Sequence, residues 1–493
     1  MAKKNVLVIL ADQFRKDCIG AYGNPYVSTP NMDRLAAQSI RYDRFYVANP
    51  ICSPNRMAWF TGMYPSNHGI YTNGLVKQDD GRTLMHELRG HGYQTASIGK
   101  IHFNPYSSES GGLSFESVEN WDGIPEEDGY RGGYFGFDYL ELTIGHTLPK
   151  AHYYKWFKDH GGSDDMFSVT PFGEVYSRDE ICGVRNMPSR LSSSAFVGER
   201  SVNYLRNIRD REKPFFLCTS FPDPHHPFTS CYDDYERWKD REVKEPAGCP
   251  KDLEDRPAHF TQQFNGAWSR RGVNACKHEG GVPKDVAVER IRHTYAMIEA
   301  IDRNVGLILD ELEAEGLMEN TIILLGADHG ELLGDHGLWL KGPFLYEGLI
   351  NVPLLAHIPG VAPRVSEGLV SSVDITPTLL ELLGFEAPSY CDGISQAPRI
   401  QDESRIVREA CMVEYRNGYD CDRNVNAIVE EKCKYVIYEN GEQEYTDLER
   451  DPQEKENAAG NPGYGGAVDR AARELLLQRL KAKTKGSIQY GHA

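Results

Sequence analysis

Residues 289–329 read ERIRHTYAMIEAIDRNVGLILDELEAEGLMENTIILLGADH, and this stretch decides the fold. Apolar side chains at Ile291, Ile298, Ile301, Val305, Ile308 and Leu312 recur every three, four or seven positions. That spacing lays them on one face of a long helix from Glu289 to a stop at Gly316. The apolar run Thr321–Ala327 follows and breaks at Asp328-His329, as in a strand buried on both faces whose carboxyl end turns polar. The same layout recurs at Val6–Ala11 before Asp12, at Gln94–Gly99 before Lys100-Ile101-His102, and at Pro214–Ser220 before Asp223-Pro224-His225-His226. Strands alternating with helices predict an α/β fold, a parallel sheet with helices on both faces whose ligands gather beyond the carboxyl ends of the strands.

Outward from this frame, Thr29 caps a short helix opened by Pro30, and Asp374 caps another that runs to Leu383 with Gly384 behind it. From about residue 390 the pattern changes to short strands and polar turns, as in Lys434–Tyr438 followed by Glu439-Asn440-Gly441-Glu442. The reading is a large domain over residues 1–389 and a smaller C-terminal α+β unit over residues 390–493, built on an antiparallel sheet. Residues 103–190 and 230–285 are rich in Gly, Tyr, Asp and Trp without a period, and are expected to be long excursions from the core.

With 72 acidic and 54 basic residues among 493, the net charge of −18 argues against a nucleic-acid partner. Apolar residues make up 40% of the chain, and none of its runs approaches the roughly 18 apolar residues that cross a bilayer, so no membrane is expected. Met1–Asp12 reads as the first strand and not as a secretory signal. The 11 cysteines, scattered without a CxxC pair, favour reduced thiols and a cytoplasmic location. No heptad seam is legible, and the oligomeric state stays open.

The sharpest local feature is Ile51-Cys52-Ser53-Pro54-Asn55-Arg56-Met57-Ala58-Trp59-Phe60-Thr61-Gly62. Pro54 fits the first turn of a helix ending near Thr61, which sets Cys52 at an N-terminus that favours anions, with Arg56 one turn on along the same side. A cysteine there is a low-pKa nucleophile or a site of modification; a buried structural cysteine is the alternative. Asp12, Asp328 and the Gln13 amide offer hard oxygen ligands for Ca²⁺ or Mg²⁺, and His329 adds a nitrogen that also suits Mn²⁺. The alternative for any one of these aspartates is a helix cap.

Cys52-Ser53-Pro54-Asn55-Arg56 with Thr61-Gly62 resembles the signature of the type I sulfatases of the alkaline phosphatase superfamily, in which the cysteine of C-x-P-x-R is oxidised to formylglycine. Asn55 departs from the Ser or Ala common at its position, which bears on recognition by a maturation enzyme. Ala11-Asp12-Gln13 and Ala327-Asp328-His329-Gly330-Glu331 resemble the two metal segments, Gly99-Lys100-Ile101-His102-Phe103 the G-K-x-H block, and Pro224-His225-His226-Pro227 the P-H-x-P block. Leu340-Lys341-Gly342 resembles the lysine block, and Tyr445-Thr446-Asp447-Leu448 to Asp451-Pro452 and Asn457 the closing block.

The resemblance implies a large mixed, mostly parallel sheet sandwiched by helices and a sulfuric ester hydrolase of a sulfated sugar, aryl or small organic alcohol. It implies one divalent metal, Ca²⁺ ahead of Mn²⁺ or Mg²⁺, held by Asp12, Gln13, Cys52, Asp328 and His329. The partner it implies is a formylglycine-generating maturation enzyme. One hydroxyl of the hydrated aldehyde attacks sulfur and expels the alcohol; the other loses a proton and sulfate is eliminated. Arg56, Lys100 and Lys341 neutralise the sulfate oxygens, His225 is the candidate acid and His102 the candidate base, with the two exchangeable at this level.

The rival within the superfamily is a phosphonate monoester or phosphodiester hydrolase, whose members tend to carry Tyr and Thr in place of Lys100 and His102. A non-catalytic metal-binding module with unmodified Cys52 is the reading from another class. His226, His293 and His336 are expected as caps or surface residues, with Asp335-His336-Gly337 a lesser candidate for substrate contact. The aromatic residues Tyr130, Tyr134, Phe135, Tyr139, Tyr153, Tyr154 and Trp156 either stack on a substrate ring or pack within their loop.

Overall fold

The computed structural model describes residues 3–107, 114–121, 125, 127–145, 148–175, 177, 180–267, 280–416 and 424–483. Cys276 and Cys421, and parts of both predicted excursions, lie outside the described residues. Eight strands form the main sheet: β1 (Asn5–Ala11), β2 (Ile40–Tyr42), β3 (Gln94–Gly99), β4 (Tyr139–Leu142), β5 (Phe215–Phe221), β6 (Thr321–Ala327), β7 (Leu354–His357) and β8 (Arg364–Ser366). Their order is β8-β2-β7-β6-β1-β5-β3-β4, and only β7 runs antiparallel to its neighbours.

Every residue of β1, β5 and β6 is buried, because helices cover both faces. Six helices matter here: α1 (Pro30–Ala36), α2 (Cys52–Thr61), α3 (Ser193–Asn203), α4 (Lys284–Ala314), α5 (Ile375–Leu382) and α6 (Gly465–Lys483). Phe216 of β5 packs edge-on against Phe60 of α2, with ring centroids 6.3 Å apart. Thr219, three residues on and therefore on the opposite face, lies 3.0 Å from Ser201 of α3, hydroxyl to hydroxyl. The six apolar positions that predicted α4 are all buried, and Gly316 takes the left-handed φ of 66° beyond its end.

Neither predicted cap forms, and one is replaced by a tertiary one. Thr29 bonds Asp33 and Gly20, while the Asp302 carboxylate from α4 accepts the main-chain N–H groups of Asn31 and Met32 at 3.1 and 2.8 Å in the first turn of α1. Asp374 accepts from Ser371 N at 2.9 Å and pairs with Arg408, leaving α5 without a side-chain cap.

The expectation that residues 103–190 and 230–285 leave the core is corrected. The first segment supplies the edge strand β4, and Phe135, Tyr139, Tyr153 and Trp156 are buried, so this aromatic group packs. The second carries Trp238 and Phe260 into the same core.

The C-terminal strands β9 (Ala410–Tyr415), β10 (Val425–Glu430), β11 (Cys433–Tyr438) and β12 (Gln443–Asp447) form an antiparallel meander. Alternation divides its faces: Cys411, Val413 and Tyr415 join the core of the main sheet, while Ala410 and Met412 pack with Ala471 and Leu475 of α6. Among the described residues no helix is long and apolar enough to cross a membrane.

The strands that matter for chemistry are neighbours. Ala11 of β1 stands opposite Ala327 of β6 and Phe221 of β5, and Gly99 of β3 stands opposite Ser220, so four carboxyl ends finish level. Gly99 has φ 104°, and a Cβ there would lie 1.9 Å from the Ser220 carbonyl, so only glycine permits this approach.

Candidate functional site

The level ends of β6, β1, β5 and β3 release Asp328, Asp12, the 223–227 turn and Lys100 onto one edge of the sheet, and α2 presents its first residue, Cys52, to the same place. Asp12, Cys52, Asp328 and His329 are each fully buried, and one ligand atom from each lies within 4.8 Å of the others. Cys52 Sγ is 3.1 Å from His329 Nε2, 3.0 Å from Lys341 Nζ and 3.6 Å from Asp12 Oδ1. Lys341 Nζ also donates to Gln13 Oε1 at 3.0 Å and lies 2.7 Å from His225 Nε2. Gln13, His102 and Leu340 all take left-handed φ values, 60°, 56° and 69°, in the three segments that turn into the site. Such backbone strain in non-glycine residues persists where the surroundings enforce it.

The donor chemistry fits a hard divalent cation. Two carboxylates and an imidazole nitrogen converge beside Cys52, and the Lys341 ammonium lies 3.0 Å from the Gln13 amide oxygen and 3.1 Å from His329 Nε2. Within 2.8 Å of the Gly330 carbonyl, His329 Nδ1 is the donor nitrogen, which leaves the Nε2 lone pair turned toward the other ligand atoms.

Four of the five Arg56 N–H donors find partners within the protein. Its Nε donates to Asp328 at 2.8 Å, Nη2 to Asp12 at 3.1 Å, and Nη1 to the Lys100 carbonyl and Ser220 Oγ, both at 2.9 Å. The side chain is 1% exposed, so the geometry makes it a clamp on the two carboxylates, where the sequence suggested a contact to sulfate. Lys100 Nζ sits 2.6 Å from Asp12. Three cations, Arg56, Lys100 and Lys341, thus surround two carboxylates.

These charges set the titration of the site. Burial and Asp12 push the Cys52 thiol up, but Lys341, His329 and Lys100 outweigh them and it sits below the ordinary thiol value. Burial, then Lys100, holds His102 well below the ordinary imidazole value, and its Nδ1 has no hydrogen-bond partner among the described residues. Burial, then Lys341, does the same to His226.

His226, expected as a cap or surface residue, is buried with Nδ1 3.0 Å from the Gln13 side-chain nitrogen. Glu331 accepts from the same amide, and Ser220 holds Arg56. The first two lie inside segments singled out for other residues; Ser220 sits inside an ordinary strand and carries no signal. His293 and His336 are also buried, against Ser230 and Asp252. Asp335 pairs with Arg15 at 2.7 Å, and with His336 it lines a 440 Å³ cavity whose walls include neither Cys52 nor the metal-ligand candidates.

Known proteins resemble this chain over most of its length. Residues 334–482 match the family described as N-sulphoglucosamine sulphohydrolase, C-terminal. An arylsulfatase of Clostridium perfringens is 29% identical over 98% of this chain and 96% of its own length. A choline-sulfatase of Rhizobium meliloti is 30% identical over 95% and 84%. The crystal structure of a phosphonate monoester hydrolase of Agrobacterium radiobacter superposes with a TM-score of 0.79 at 25% identity, covering 97% of this chain and 96% of that one. Residues 4–385, which carry Cys52 and every candidate ligand around it, match the Sulfatase family, and the chain belongs to that family of sulfate ester hydrolases.

Proposed function

We propose that Cys52, once oxidised to formylglycine by a maturation enzyme, carries the nucleophile of a sulfate monoester hydrolase, and that Asp12, Gln13, Asp328 and His329 hold one divalent cation beside it. Oxygen-rich donors favour Ca²⁺. The observation that carries this reading is the meeting of Cys52 Sγ with Lys341 Nζ, His329 Nε2 and Asp12 at the buried N-terminus of α2. Formylglycine, hydrated, offers a hydroxyl where cysteine has Sγ. A bound divalent cation supplies Lewis acidity, activating that hydroxyl and neutralising charge on the sulfate.

The remaining work falls to the chain. Arg56 keeps Asp12 and Asp328 aimed and spares their charge from mutual repulsion. Lys341 faces the nucleophile and stabilises the sulfate oxygens as negative charge builds on them. His225 Nδ1 donates to the His226 carbonyl at 2.5 Å, so its Nε2 shares a proton with the Lys341 ammonium and delivers it to the leaving alcohol oxygen. His102, held neutral by its surroundings, serves as the base. Lys100 and His102 in the site favour sulfate over the phosphonate reading.

The substrate proposed is a small or terminal sulfate ester, in line with the arylsulfatase and choline-sulfatase relatives. The test compares turnover of an aryl sulfate, a small alkyl sulfate and a phenyl phosphonate ester by matured enzyme. Sulfate turnover should dominate, vanish in Cys52→Ala and fall on chelation, with the aldehyde detected at position 52 by peptide mass spectrometry. A preference for the phosphonate would overturn the assignment.

A further inference from the structure

His102 stands in the left-handed region at φ 56°, a conformation that a non-glycine residue holds only under constraint. The constraint is a single buried carboxylate. Glu116, 6% exposed, accepts from three consecutive main-chain N–H groups: His102 at 2.5 Å through Oε2, and Phe103 and Asn104 at 2.9 Å each through Oε1. The Tyr134 hydroxyl donates to Oε1 at 2.9 Å and accepts from Asn104 Nδ2 at 2.9 Å, so the carboxylate is itself held in place. Successive N–H groups pointing at one anion form a nest, and here the anion is part of the protein. Phe103 is fully buried beneath the turn, against Phe60 and Phe135. The turn is thus anchored from below by an aromatic ring and from the side by a charge.

We infer that Glu116, buttressed by Tyr134, is the positioning residue of His102: it fixes the turn that aims the imidazole into the site and acts on the reaction only through that ring. The inference rests on the sulfatase reading for its kinetic consequence and on the geometry of the turn for its structural one. Glu116→Gln preserves volume but replaces one acceptor oxygen with an N–H₂ facing main-chain donors. The ring then loses its aim, while Asp12, Arg56 and Asp328, held by their own pairs, stay where they are.

Kinetics and crystallography of this variant test it together. Glu116→Gln should lower kcat about 10- to 100-fold with KM changed less than about threefold, the cost of misplacing one catalytic group. In a His102→Ala background the same substitution should cost less than about twofold more, because no ring remains to be aimed. Tyr134→Phe, which removes one bond from the carboxylate, should give a smaller fall that is absorbed in the same way, and serves if Glu116→Gln fails to fold. In the crystal structure of the variant, His102 should leave the left-handed region. Additive losses in the double variant, or a His102 turn unchanged in the variant structure, would overturn the inference. A matured wild-type enzyme that hydrolyses no sulfate ester would instead count against the sulfatase reading, and the turn geometry would still decide this one.

Discussion

Arg56 Nε donates to Asp328 Oδ2 at 2.8 Å between side chains that are 1% and 0% exposed, and the same guanidinium reaches Asp12. Removing one partner of a buried ion pair leaves an uncompensated charge, which typically costs about 3–5 kcal/mol. Arg56→Ala should therefore unfold at clearly lower urea concentration. Arg56→Lys, lacking the planar fork, should recover only part of the loss. Added Ca²⁺ should restore stability to the alanine variant more than to the wild type, since a cation can compensate the same carboxylates. Urea melts with and without metal decide this, and a wild-type midpoint in Arg56→Ala would remove the clamp.

Asn55, inside the Cys52–Arg56 segment, makes structural contacts of its own. Its Oδ1 accepts from Ala48 N at 2.9 Å and Ser372 Oγ at 2.6 Å, and its Nδ2 donates to the Asp328 carbonyl. Asn55→Ala strands these buried partners at about 1–3 kcal/mol. The loss should appear in unmodified protein made without a maturation enzyme. Equal stability there would confine Asn55 to recognition by that enzyme.

Lys341 Nζ bridges Cys52, Gln13, His225 and His329. Loss of one preorganised donor to developing charge costs about 10²–10³ in rate. Lys341→Met should show such a fall in kcat with a much smaller change in KM. Adding His225→Asn to it should cost far less than His225→Asn alone, because the two share one proton. Steady-state kinetics of the single and double variants check this.

The buried rings of His68, His152 and His293 set a pH limit on stability. Each uses Nδ1 to accept a main-chain N–H, from Ile70, Leu142 and Ser230 at 3.1, 3.0 and 3.3 Å, so each ring must be neutral. Burial pushes them down to about 3, about 4 and about 3. Between the unfolded value near 6.5 and these values, the unfolded chain binds protons that the folded chain does not, so stability falls as pH falls. The loss is about 2 kcal/mol per histidine at pH 5. Denaturant melts at pH 7 and pH 5 should show it, and His293→Asn, which keeps an acceptor, should flatten the dependence.

Much of this was legible in the chain. The strands Gln94–Gly99 and Thr321–Ala327 end just before the first charged residue, Lys100 and Asp328, because a strand buried on both faces admits no charge until it leaves the sheet. The helix opened by Cys52 follows from Pro54. Less legible were the caps at Thr29 and Asp374, where partners distant in sequence, Asp302 and Arg408, outcompete the local rule. The aromatic segment around residues 130–156 packs through large side chains with no repeat, so no period announces it.

That Asp12, Lys100 and Asp328 follow strand ends and that Cys52 opens a helix was legible from the sequence alone, since hydrophobic runs, their polar breaks and helix starts are local properties. The division of labour among them was decided only by the tertiary structure. Arg56 turned to the carboxylates, His226 joined Gln13, and Glu116 came round to hold the His102 turn, because a buried charge or N–H must find its partner across the fold and not along the chain.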